Sequence, residues 1–154
     1  MTVDPAARLH HVVWCVRPDS LPGLQAYWTE ALGVPLAAFE VAGAGISVLM
    51  SWEAGVEIVA PGATPGTFTA ALTGFLETSG EGVFSTVYEV DDLDAAVARA
   101  VASGATVTFE DVIEPRELAE RLGWPPERAT IRLRQTGLAE RSGTTVCLQE
   151  SGAA

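Results

Sequence analysis

A chain of 154 residues is the size of one domain and long enough to bury a core without disulfide or metal staples. The net charge is −11 and all nine basic residues are arginine, so nucleic-acid backbones and anionic membranes would repel it and neither is expected as a partner. No apolar run approaches the roughly 20 residues of a membrane span, and MTVDPAARLHH lacks the basic-then-apolar pattern of a signal peptide, so a cytoplasmic location is expected.

The first predicted strand is Leu9–Val16, rich in β-branched and aromatic residues. Pro18, Asp19 and Ser20 break it, and Leu24, Tyr27, Trp28 and Leu32 then recur at helical spacing over Leu21–Leu32. Gly33 is placed to end that helix. Strands follow at Ala37–Val41, Ile46–Trp52 and Gly55–Ala60, the last two joined by a hairpin. Residues 62–81 read as a linker with a helical centre. The pattern then restarts: strand Val83–Val90, a helix capped by Asp91 or Asp92 and stopped by Gly104, and strands at Ala105–Phe109, Ala129–Arg134 and Thr144–Gln149. Between the last three, residues 112–128 insert a short helix that has no counterpart earlier.

The two halves superpose as sequences. HVVWCV matches STVYEV, PLAAFE matches ATVTFE, and both halves end in a short strand after a glycine, GVEIVA and GTTVCLQ. This is an internal repeat of a βαβββ unit, with one module over about 8–61 and a second over about 82–150. The expected fold is therefore α+β: a single domain over 1–154, two tandem βαβββ modules forming a cupped mixed sheet, and helices on the outer face.

Alternation assigns faces to the strands. Val12, Trp14 and Val16 are expected under the first helix, which turns His11, Val13 and Cys15 to the concave side. Ser85, Val87 and Glu89, together with Glu57, Cys147 and Gln149, are expected to face the same way. On the penultimate strand Ala129, Ile131 and Leu133 are expected to pack, leaving Arg132 and Arg134 toward the cleft or its rim. Two such arginines suit bidentate capture of a carboxylate or phosphate, or else neutralise nearby acids. Trp52 in the hairpin and Trp124 in the insertion are candidate stacking surfaces. Cys15 and Cys147 lie in separate strands, belong to no CxxC pair, and read as reduced thiols.

HHVVWCV followed by AYWTEALGV, then GVEIVAP, then GEGVFSTVYEVDDLDAAV, occur in the order and spacing of a known family. The chain resembles the vicinal-oxygen-chelate superfamily of glyoxalases, bleomycin-resistance proteins and extradiol dioxygenases. That resemblance implies a small-molecule ligand in the sheet cleft and a homodimer. It also implies metal ligands on the first and last strands of each module. His11 and Glu57 hold those positions in the first module; in the second, Ser85 stands where a His is usual and Cys147 where a Glu is usual. Two readings stay open for the cofactor: none, or a divalent metal held by His11, Glu57 and a Cys147 thiolate. The expected function is binding of a small organic molecule, an aromatic or keto acid being one class, at a degenerate or absent metal site. Ser85, Trp52, Val13, Arg132 and Arg134 would contact it and His11 with Glu57 would form the chemical centre. The alternatives are a metal-dependent lyase, isomerase or dioxygenase using His11 and Glu57, a metal-free enzyme using the same pair, and a protein that sequesters a cationic drug.

Overall fold

The computed structural model describes residues 6–154, whose elements follow one another as two structural units built on one plan. In the first unit, β1 (Ala7–Cys15) is followed by a short 3-10 turn and α1 (Leu21–Ala26), which continues as a π-helical turn over Tyr27–Ala31. Gly33 ends it at φ 66°. Then come β2 (Ala37–Val41), β3 (Ile46–Ser51) and β4 (Val56–Pro61), in the order β2-β3-β4-β1. β4 lies parallel to β1, with Val13 opposite Glu57, while β2–β3 and β3–β4 are antiparallel.

The outer face of this sheet carries Val56, Ile58, Ala60 and Leu49, packed with Val16 and Leu36 against Leu21, Leu24 and Trp28. Trp14, expected beneath the helix, points to that face but is 39% exposed. The linker forms α2 (Thr69–Ser79), whose Leu72 is buried and whose Leu72 carbonyl lies 3.9 Å from the Cys15 sulfur. Cys15 shares the inner face with His11, so α2 closes one end of that face, a role that the sequence pattern did not assign it.

In the second unit, β5 (Gly82–Val90), α3 (Leu93–Ala102), β6 (Thr106–Ile113), α4 (Pro115–Leu122), β7 (Ile131–Ala139) and β8 (Thr145–Ala153) repeat the plan, with the order β5-β8-β7-β6. β5 and β8 are parallel, with Val87 opposite Cys147. Asp92 caps α3 by accepting from the Ala95 N–H at 2.9 Å. Val90, Leu93, Ala96, Leu138 and Leu148 form the core beneath α3. β6 and β7 run four to five residues further than their apolar patterns indicate, and the inserted helix is confined to Pro115–Leu122.

Register makes the two units equivalent residue by residue. Val12–Val56, Val13–Glu57 and Trp14–Ile58 in the first correspond to Thr86–Val146, Val87–Cys147 and Tyr88–Leu148 in the second. The α+β architecture of two βαβββ modules is therefore as expected.

Candidate functional site

A histidine inside a sheet must find a partner, because its ring nitrogens lose water on burial. His11 is 2% exposed and its Nε2 lies 2.9 Å from Glu57 Oε2, whose side chain is 21% exposed. The carboxylate only accepts, so the ring Nε2–H donates to it. The two residues are brought together by the parallel β1–β4 register: His11 sits two residues before Val13, the neighbour of Glu57. Val13 is buried beside the pair on the same face, and Met50 flanks Glu57 from β3. Trp52 stands half-buried in the β3–β4 turn. Glu57 is the partly exposed member of the pair.

The corresponding positions of the second unit carry different chemistry. The Ser85 hydroxyl donates to the Thr145 carbonyl at 3.1 Å, and Cys147 is 6% exposed. Two residues further along, a polar row crosses the same inner face. Gln135 Nε2 donates to Gln149 Oε1 at 2.8 Å, and Gln149 Nε2 donates to Glu89 Oε2 at 2.9 Å. The Ser151 N–H donates to Glu89 Oε1 at 2.8 Å. Gln149 is wholly buried at the centre of the row. Alternation turns Glu89 and Gln149 inward; Gln135 lies one residue beyond the predicted end of its strand at Arg134, among other polar residues, and no sequence signal marks it.

Arg132 and Arg134 require a correction. Arg134 lies opposite Glu150 and bonds it at 3.0 Å, and its other nitrogen reaches Asp94 in the first turn of α3 at 2.6 Å. Asp94, and secondarily Glu150, hold the Arg134 guanidinium above its usual basicity. Arg132 pairs with Glu114 at 2.9 Å. Both arginines therefore belong to the face that carries α3, and neither lies with Ser85, Cys147 and Gln149. The reason is physical: Leu133, on the inner side, is 1% exposed, while Thr136 and Leu138 are buried on the outer side. A strand buried on both faces gives alternation no sign.

A catalytic divalent ion needs about three protein ligands and an open position. His11 and Glu57 supply two donors, already bonded to one another, whereas the Ser85 hydroxyl is committed to a carbonyl and Cys147 is a buried thiol. Among the described residues no group of three or more His, Cys, Asp or Glu side chains gathers. The donor set does not fit the ion that the family implies.

The model of the glyoxalase/bleomycin resistance protein/dioxygenase superfamily matches residues 8–117, and the chain belongs to that family. Methylmalonyl-CoA epimerase from Mycobacterium tuberculosis superposes with a TM-score of 0.66 at 20% identity, covering 97% of this chain and 92% of that one. A variant of the Streptomyces coelicolor methylmalonyl-CoA epimerase in complex with 2-nitronate-propionyl-CoA gives 0.64 at 19% identity, covering 97% and 100%. A mutant of 4-hydroxymandelate synthase from S. coelicolor gives 0.64 at 16%, covering 99% of this chain and 50% of that one. At these identities the likeness is one of fold. No curated protein sequence matches the chain. Among the described residues no helix is long and apolar enough to cross a membrane.

Proposed function

We propose that the protein binds a small organic molecule on the inner face of its first module, placing an oxygen or an acidic C–H of the ligand against the His11–Glu57 pair. The observation that carries this reading is the buried histidine, 2.9 Å from a partly exposed carboxylate, on the sheet face opposite α1. A carboxylate so held accepts or returns a proton without a metal, and the imidazole behind it fixes its orientation. Arg132 and Arg134 are spent on Glu114, Asp94 and Glu150, so neither serves as a carboxylate clamp and an acid ligand has no anchor there. Family membership supports a homodimer as the working form.

The test is a thermal-shift and NMR screen of small neutral, basic and acidic aromatics against the wild type and Glu57→Gln. Ligands that perturb the His11 ring resonances, and whose affinity changes in the variant, support the reading. Metal-dependent chemistry at His11 and Glu57 replaces it if elemental analysis of protein purified without chelators finds one tightly held zinc, iron or manganese per chain.

A further inference from the structure

The row Glu89–Gln149–Gln135 occupies positions that are apolar in the first unit. Cys15, Val59 and Val48 hold the equivalent places there, all buried, with α2 at Cys15. A fully buried glutamine is costly unless each of its polar atoms is satisfied, and the sister module fills the same places with apolar side chains that carry no such demand. The polar row therefore calls for a reason beyond stability.

Its geometry has a direction. Glu89 accepts at both oxygens, from the Ser151 N–H and from Gln149. Gln149 must therefore turn its NH2 toward Glu89 and its oxygen toward Gln135. Gln135 in turn must point its own NH2 at Gln149. Turning either amide over would set oxygen against oxygen or NH2 against NH2. Gln135 Oε1 is thus presented as an acceptor of fixed orientation, and among the described residues no protein group donates to it. Asp111, the strand neighbour of Gln135 on the same face, accepts from the Val112 N–H. One row away, the Phe109 ring lies over Gly137, where a Cβ would come within 2.1 Å of it. The surface offers acceptors beside an aromatic wall, and no cation belongs to the row.

We propose that Gln135 Oε1, oriented by Glu89 through Gln149, is a recognition subsite for a hydrogen-bond donor on a small ligand with an apolar body: a hydroxyl, an amide N–H or an ammonium group, and not a carboxylate. The inference rests on the reading that the inner sheet faces take the ligand. Glu89 and Gln149 act as positioning residues; Gln135 makes the contact.

The probes are matched pairs that differ only in the donor: benzyl alcohol against benzyl methyl ether, and benzylamine against benzyltrimethylammonium, with benzoate as the anion. Binding to isotope-labelled full-length protein is followed at the Gln135 and Gln149 side-chain amide resonances and at His11. The donor member of each pair should bind about fivefold or more tighter than its capped partner and should shift the Gln135 amide. Gln135→Met, conservative in size at a half-buried position, should reduce that preference to within about twofold. Glu89→Gln should weaken it too, because a neutral amide lets the row reverse. The alcohol pair without the amine pair assigns a neutral donor, and the amine pair alone a cationic one. Equal binding within both pairs, or an undiminished preference in Gln135→Met, overturns the subsite. Perturbation confined to His11 overturns it while leaving the first-module reading intact, and binding of no probe anywhere overturns both.

Discussion

His11 and Cys15 show how burial acts on two side chains of one strand face. His11→Ala removes a packed ring and strands the Glu57 carboxylate, and should cost about 2–4 kcal/mol. Glu57→Gln keeps the size and an acceptor oxygen and should cost about 1 kcal/mol; chemical denaturation of both variants checks the difference. Burial, and secondarily Glu81, push the Cys15 thiol up to about 11. Its native form therefore resists alkylation at pH 8, which timed iodoacetamide labelling with and without denaturant measures. The folded state holds this proton more tightly than the unfolded one. The Cys15 contribution to stability is thus full below about pH 9 and is lost as pH rises toward 11. Both residues were legible from alternation along HHVVWCV. The arginines on β7 were not, because two buried faces hide the parity of a strand.

At the scale of elements, the linker is fastened to the β2–β3 turn where two backbones cross. The Gly62 N–H donates to Gly45 O at 2.8 Å, and Phe68 N–H to Ala44 O at 2.8 Å. A Cβ on Gly66 would stand 2.3 Å from the Gly45 nitrogen. Gly66→Ala must force these segments apart and should cost about 2–4 kcal/mol. Gly33 also lies in the left-handed region, at φ 66°, but a Cβ there would meet nothing within 4 Å. Gly33→Ala should therefore cost only the conformational strain, about 1–2 kcal/mol. Comparing the two melting curves separates close approach from backbone preference. At the other end of α2, Glu81 accepts from the Ser20 hydroxyl at 2.5 Å and the Arg17 N–H at 2.8 Å. Those two bonds, with the Arg17 charge, hold the Glu81 carboxyl below its usual range. The stability it contributes is present above its unfolded value near 4.5 and is lost as pH falls through the folded one. Wild type and Glu81→Gln should accordingly converge in stability on acidification.

For the molecule as a whole, a charge of −11 opposes self-association, so contact between copies needs a surface whose gain exceeds that repulsion. β6 ends its sheet with Val107 and Val112 exposed, 40% and 41%, on either side of Glu110 and Asp111. A sheet edge of this length is ordinarily covered, in accord with the proposed homodimer. Light scattering at micromolar concentration should give twice the chain mass of 16.1 kDa; a monomer counts against it. Titration with zinc or manganese should give only weak binding, since two donors do not make a catalytic site.

Repetition of element order and alternation along β1, β4, β5 and β8 were enough to predict the βαβββ duplication, the helix-covered face of each module and the inward turn of His11 and Glu57. These are local properties, set by side-chain period and by glycine or proline punctuation. The tertiary structure decided the rest. α2 covers the end of an inner face because Leu72 finds Cys15 there, 57 residues away in sequence. Arg134 turns outward because Asp94 and Glu150, 40 and 16 residues away, meet it on the α3 side. Gln135, Gln149 and Glu89 become one row only when β5, β8 and β7 align in register. Such contacts depend on strand pairing between distant segments, and hydrophobic period carries no information about which polar residues will meet.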